Sequence, residues 1–158
     1  MAWATAWSFD RLRLWLERGV TPAASLRTAL IHTIARVTLA VVWIYQGLVP
    51  KLLVPDSGER LLTAKLTGAS LAPGLVAVAG VLEILIGLAL LVAHRSRTVV
   101  WGSIIALLGL TTAGVVSTPR IALTPFNAVT LTLAMLALAV IVLQTMDDAP
   151  SASRTRWS

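Results

Sequence analysis

Four long stretches of this chain carry almost no charged side chain. They are residues 29–49, 74–93, 98–116 and 123–143. A helix needs about 20 apolar residues to cross a bilayer's hydrocarbon core, and it satisfies its own backbone hydrogen bonds there. The connections between the second, third and fourth stretches are short, which favours antiparallel neighbours. The sequence therefore predicts an all-α integral membrane protein, an up-down-up-down four-helix bundle.

Composition supports this class. Charged residues make up 13% of the chain and hydrophobic residues 57%, whereas a soluble domain carries about 25% charge. The 158 residues leave space for one four-span domain at 28–146, an N-terminal segment at 1–27 and a polar tail at 147–158 that is expected to be disordered. The chain has no cysteine, which excludes disulfides, thiol chemistry and Cys-ligated clusters.

The distribution of Lys and Arg predicts an orientation. One side of the predicted bundle holds eight: Arg11, Arg13, Arg18, Arg27, Arg95, Arg97, Arg154 and Arg156. The other side holds four: Lys51, Arg60, Lys65 and Arg120. The positive-inside rule then places both termini in the cytoplasm and the protein in the cell (inner) membrane. The net charge of +6 fits loops next to anionic lipid. No nucleic-acid partner is expected, because the basic residues lack a surface with aromatic platforms.

The N-terminal segment has helical periodicity. Between residues 8 and 20, Phe9, Leu12, Trp15, Leu16 and Val20 share one arc, and charged residues occupy the other. This pattern favours a helix lying in the cytoplasmic interface over a frayed tail. The sequence Thr21-Pro22 then predicts a break before the first span.

A second short helix is predicted on the other side of the membrane, in the connection 50–73. Asp56 followed by Glu59 resembles a capping box, and Gly68 is expected to end the helix. At the start of the last span, Thr124-Pro125 predicts a cap with proline in the first turn. Asn127 follows it and either caps that end or points into the bundle.

Two charges lie within the predicted spans. Arg36 shares a helical face with His32, Trp43 and Gly47, and Gln46 borders that face. Glu83 lies on a stripe of the second span with Gly80 and Gly87. At 1.5 Å of rise per residue, the charges lie about 10 and 16 Å from the cytoplasmic ends of their spans, a difference that an arginine side chain can cover. An ion pair that fixes helix register is favoured. A binding or proton-handling site, and an Arg36 that reaches the interface alone, stay open.

Small residues are expected at the helix contacts. Gly47, Gly80 and Gly87 let another backbone approach closely, and the third span adds Gly102 and Gly109. The chain has only two histidines, His32 and His94. No metal site and no catalytic residue are predicted from them.

Several of these residues form motifs of a known family. The run Trp43-Ile44-Tyr45-Gln46-Gly47-Leu48-Val49-Pro50-Lys51 resembles the end of the first span in DoxX-like membrane proteins. Gly80-x-x-Glu83-x-x-x-Gly87 is similar to their second span, and Pro119 with Pro125-Phe126-Asn127 is similar to one subgroup. The family takes its name from a small membrane subunit of a thiosulfate:quinone oxidoreductase. The resemblance implies a four-helix bundle and leaves a role at a quinone or in a complex open.

Two functions follow as hypotheses. The first is a non-catalytic membrane subunit that docks to or stabilises a larger membrane complex, with membrane lipids and other subunits as partners. The second is a quinone-linked oxidoreductase subunit that binds a quinone near Arg36 and Glu83. No intrinsic cofactor is expected, because the chain supplies none of the usual groups that carry electrons. A quinone or a lipid is the expected ligand if one binds.

Overall fold

The computed structural model describes residues 2–54, 58–123 and 127–149. Within these ranges the chain is helical and has no strand, so the all-α prediction is confirmed. The α-helices are α1 (Ala2–Arg18), α2 (Pro22–Leu48), α3 (Gly58–Thr67), α4 (Ala72–Val92), α5 (Arg97–Ser117) and α6 (Ala128–Thr145). A π-helical turn, Val49–Leu53, follows α2, and a 3₁₀ turn, Pro119–Leu123, follows α5.

Among the described residues, four helices are long and apolar enough to cross a membrane. They are Pro22–Leu53, which joins α2 to the π-helical turn, and then α4, α5 and α6. Large apolar side chains stand exposed along them, such as Val78, Leu85 and Ile105. Soluble monomers rarely leave such apolar surface uncovered. The prediction of four spans is confirmed, although α2 begins seven residues before the predicted boundary at Ala29.

Local signals explain where the first two helices meet. Gly19, with φ +68°, ends α1 in a conformation that glycine adopts without strain. Its backbone N–H donates to the Trp15 carbonyl at 3.0 Å. The hydroxyl of Thr21 then accepts from the Ala24 backbone N–H at 3.3 Å, directly before α2 begins at Pro22. The predicted break at Thr21-Pro22 is therefore a cap, and the next helix starts at once.

The chain divides into two compact units. The first contains the described residues 2–35 and 141–149, and the second is Arg36–Val140. In the first unit, Asp10 is fully buried, and its Oδ1 lies 3.3 Å from the Nη2 of Arg13. Phe9, Trp15 and Leu16 are exposed. Arg11 donates to the Pro22 carbonyl at 2.7 Å and to the Ser25 hydroxyl at 3.3 Å. Helix α1 thus uses polar contacts within its unit and leaves its apolar arc open, as a helix at a membrane surface does.

In the second unit, glycines set the contact between α2 and α4. A Cβ at Gly87 would lie 2.8 Å from the Ala40 carbonyl oxygen, and one at Gly80 would lie 2.7 Å from the Gly47 carbonyl oxygen. A Cβ at Gly47 would in turn collide with the Gly80 carbonyl. Residue numbers rise along α2 as they fall along α4, so these two helices run antiparallel. The absence of side chains at these glycines allows the two backbones to touch.

Some predicted features lie outside the described residues. These are the Asp56 cap, the Thr124-Pro125 start of the last span, and the tail from residue 150 onward. The predicted helix after the first span is present as α3, and it ends before Gly68, whose φ is +89°.

Candidate functional site: a buried ion pair between the first two spans

Glu83 is a buried acid among the described residues of the second unit. It lies on α4, 11 residues after Ala72 and nine before Val92, which places it about 16 and 14 Å from the two ends of that helix. Its side chain is 3% exposed. A carboxylate at this depth is costly unless a cation or hydrogen-bond donors compensate it.

Lys51 supplies that cation. Its ammonium forms an ion pair with the Oε1 of Glu83, and the lysine side chain is only 10% exposed. Lys51 therefore belongs to the first span and not to the outer loop predicted from the charge distribution. In the structure the helix continues past Pro50, which has no N–H to donate. A π-helical turn carries the chain on, and the Val54 backbone N–H donates to the Val49 carbonyl at 2.9 Å.

The glycine contact brings the two charged residues together. A Cβ at Gly47 would lie 3.0 Å from the Cβ of Glu83, and one at Gly80 would lie 2.9 Å from the Cβ of Lys51. The pair therefore sits on the line along which α2 and α4 touch. In a site of low dielectric the attraction is strong, but both charges have also lost their hydration. Such a pair can fix the register of two helices.

Arg36 is not the partner of Glu83. Gly47 marks the level of Glu83 on α2, and Arg36 lies 11 residues before it, about 16 Å along the helix axis. An arginine side chain cannot cover that distance. The sequence estimate was wrong because it measured depth from assumed span ends, whereas the glycine contacts set the true register. The Nε and Nη1 atoms of Arg36 are buried and make no hydrogen bond with any described residue.

Trp43 lies one helical turn before Gly47 and is fully buried. Its indole N–H has no acceptor among the described residues. A buried donor without a partner loses free energy relative to one in water. This indole is therefore a polar group that a ligand could satisfy near the Lys51–Glu83 pair.

The remaining predicted site residues have separate local roles. His32 belongs to the first unit, where its Nδ1 lies 3.0 Å from the Thr145 hydroxyl. Asn127 caps α6, because its Oδ1 accepts from the Thr130 backbone N–H at 2.9 Å. Its Nδ2 donates to the Ala122 carbonyl at 3.1 Å. Gln46 is partly exposed. Across the described ranges, no three His, Asp or Glu side chains are grouped as metal ligands would be.

Two of the predicted packing glycines contact no neighbouring helix within the described chain. Gly102 and Gly109 are exposed, and a Cβ at either would meet no described atom within 4 Å. The expected close approach at these positions is therefore absent from the described contacts. The reason is rotational: α5 buries Val100, Ile104 and Leu107, and the two glycines lie on another face of the helix.

Sequence reasoning missed Lys51, although a signal for it existed. Trp43, Gly47 and Lys51 follow at intervals of four, so they share one helical face if the helix continues. A span that ends at residue 49, as predicted, leaves Lys51 off this face. A proline at membrane depth is tolerated when local π-helical geometry restores the backbone hydrogen bonds, and this turn does so.

Comparison with known protein families gives a match over most of the chain. The model of the DoxX-like family matches residues 40–140 of the chain. The chain belongs to the DoxX-like family. The matched region contains Lys51, Glu83 and the three contact glycines, and it begins after Arg36. The resemblance seen in the sequence is thereby confirmed, and the protein is a small DoxX-like integral membrane protein.

One curated relative gives no activity. The DoxX-like chain is 45% identical over 47 residues to the uncharacterized membrane protein YndG of Bacillus subtilis (strain 168). The match covers 30% of this chain and 18% of that protein, so the chain spans less than a fifth of the relative's length. No solved structure matches the chain.

Proposed function

We propose that this protein is a non-catalytic membrane subunit that docks through an open face of α5 onto a membrane-spanning helix of a larger complex. The proposal rests on one observation, the outward-facing glycines of that helix. Gly102, Ala106, Gly109 and Ala113 follow at intervals of four, three and four. They therefore form one stripe along α5, called the small-residue stripe below.

The small-residue stripe suits a helix better than it suits lipid alone. Small residues let another helix backbone approach closely, which is how membrane helices associate without a hydrophobic driving force. Gly102 and Gly109 are exposed and have no described atom within 4 Å of a built Cβ. Lipid chains can cover any apolar surface, so contact with lipid alone would not require small residues at these positions.

A groove beside the stripe adds to its shape. It has a volume of about 450 Å³ and is lined by Leu82, Leu85, Ile86 and Ala89 of α4 and by Val99, Gly102 and Ser103 of α5. Side chains of a docked helix could enter this groove while its backbone lies on the glycines. The Lys51–Glu83 pair then acts as a structural pair that keeps α2 and α4 in register.

Substitution of the stripe tests the docking function. Gly102→Leu and Gly109→Leu should abolish co-purification of the partner subunit in mild detergent, measured by quantitative mass spectrometry against the unmodified chain. Gly74→Leu is the matched control, because Gly74 is also an exposed helical glycine with no described atom within 4 Å. The same co-purifying proteins in all three variants would refute docking through α5. Self-association that depends on the stripe would identify a second copy as the occupant instead.

Quinone binding is a second candidate function, favoured by Trp43. Its buried indole N–H and the ammonium of Lys51 are donors that suit a quinone carbonyl, in a mostly apolar surrounding. Titration of a short-chain quinone into the protein in nanodiscs should quench tryptophan fluorescence, and Trp43→Phe should remove the saturable part. Saturable quenching that persists in Trp43→Phe would exclude this location.

A further inference from the structure

We propose that Arg36 and Arg95 together bind the phosphate group of an anionic phospholipid at one end of the second unit. This inference is independent of the proposed docking function. It starts from two guanidinium groups that each bury at least one nitrogen atom without a hydrogen-bond partner among the described residues. The Nε and Nη1 of Arg36 and the Nη1 of Arg95 are buried, and none of these atoms has a hydrogen-bond partner among the described residues.

The register of α2 and α4 places both arginines at the same end of the unit. Gly87 faces Ala40 and Ile44, and Arg36 lies four to eight residues before those positions, about 6–12 Å along the axis. From Gly87, α4 runs five residues further to Val92, about 8 Å in the same direction. Arg95 lies in the connection that follows. Arg36 is therefore level with the end of α4 and with the connection 93–96.

The described residues of the second unit supply no acidic side chain at this end. Glu83 is the only Asp or Glu between Glu59 and Asp147, and it is bound to Lys51 near the middle of its span. His94 is exposed, with its Nδ1 3.4 Å from the Val92 carbonyl oxygen of its own connection. The start of α5 has its own cap, since the Ser96 hydroxyl accepts from the Val99 backbone N–H at 3.4 Å. The Nε and Nη1 of Arg36 and the Nη1 of Arg95 are thus buried donors at this end without an acceptor among the described residues.

A phosphate group has the acceptor oxygens that suit these two guanidinium groups. Guanidinium groups bind phosphate oxygens through paired, charge-assisted hydrogen bonds. The end of a membrane-spanning helix lies at the level of the lipid headgroups, where basic pockets between helices take anionic headgroups. Both arginines are also partly exposed, so a headgroup can reach them from the bilayer. A lipid phosphate is therefore the ligand we assign rather than a free ion.

Lipid selectivity of the full chain tests this site. The relative association of spin-labelled phosphatidylglycerol and phosphatidylcholine would be measured by electron paramagnetic resonance, with the protein in phosphatidylcholine bilayers. The unmodified chain should prefer phosphatidylglycerol, and Arg36→Gln or Arg95→Gln should reduce that preference about tenfold, since each removes charge-assisted hydrogen bonds. The double variant should lose no more than either single variant, because the two residues serve one phosphate.

Arg120→Gln is the control. It removes the same charge from an exposed arginine on the 3₁₀ turn and should leave the preference unchanged. Absence of a preference in the unmodified chain, an unchanged preference in both single variants, or an equal loss in the control would each overturn the proposal. Competition by inorganic phosphate would overturn the lipid assignment in favour of a free anion. If Arg36→Gln does not fold, Arg95→Gln tests the site alone, because its residue lies in a connection.

Discussion

Lys51 and Glu83 belong to different helices, and they form one buried ion pair because Gly47 and Gly80 let those helices touch. Without the glycines, α2 and α4 would be held apart by their own side chains. Without the π-helical turn Val49–Leu53, the chain would leave the span before Lys51 reached Glu83. The ion pair therefore depends on backbone features of both helices as well as on the two charges.

The first prediction concerns the energy of this pair. Lys51→Met or Glu83→Leu alone should destabilise the protein by about 3–5 kcal/mol, because the remaining charge is left buried and uncompensated. The double variant should be much closer to the unmodified chain than the sum of the single effects implies. Thermal or denaturant unfolding in detergent, arranged as a double-mutant cycle, measures this coupling.

A second cycle provides the control. Arg36→Met and Glu83→Leu should be additive within about 0.5 kcal/mol, as expected for residues more than about 10 Å apart. Coupling in this cycle together with additivity in the Lys51 cycle would show that Arg36, and not Lys51, holds the carboxylate.

The second prediction separates contact glycines from open ones. Gly87→Ala should destabilise the protein by about 1–3 kcal/mol, because its Cβ would press on the Ala40 carbonyl and the Ile44 side chain and the backbone must shift. Gly109→Ala should be neutral or stabilise by up to about 1 kcal/mol, since alanine favours the helix and nothing described lies near it. Equal effects of the two changes on the unfolding midpoint would mean that α2 and α4 do not touch at Gly87.

Much of the fold could be predicted from hydropathy alone. Blocks of apolar residues indicate spans because the bilayer imposes one length on every crossing helix. Local signals also worked where they are strong: α3 ends before Gly68 and α1 ends before Thr21-Pro22. These features depend only on neighbouring residues and on the thickness of the membrane.

The partner of Glu83 could not be found this way. Its identity depends on the axial position of α2 relative to α4. Hydropathy does not determine that position to better than about one helical turn. Three glycines determine it, through backbone contacts between residues 33 to 47 positions apart, such as Gly47–Gly80 and Ala40–Gly87. The exposure of Gly102 and Gly109 could not be predicted for a similar reason. Composition predicts that small residues pack closely, but it does not say whether the helix they pack against lies in this chain.

The third prediction concerns the start of α6. Asn127→Ala should cost about 1 kcal/mol, because the Thr130 backbone N–H loses its cap. Asn127→Asp should recover most of that loss, since it keeps the accepting oxygen, while it gives up only the donor to the Ala122 carbonyl. Unfolding of the three proteins in detergent measures both effects. An aspartate variant as unstable as the alanine variant would show that the donor, rather than the cap, holds this end.

The fourth prediction is the orientation in the cell membrane. Lys51 belongs to a span, so the arginine and lysine totals of the two sides become eight and three, and the predicted cytoplasmic side is favoured more strongly.

The chain has no cysteine, so single introduced cysteines can be labelled without background. In intact cells, an impermeant thiol reagent should label Ser70→Cys, in the connection before α4, and should not label His94→Cys, in the connection after it. Both residues are exposed in the structure, and disruption of the membrane should make both reactive, which shows that access alone decides the labelling. Labelling of His94→Cys but not Ser70→Cys in intact cells would reverse the orientation. It would also move the Arg36–Arg95 end to the opposite headgroup layer, whose lower content of anionic lipid would weaken the expected phosphate binding.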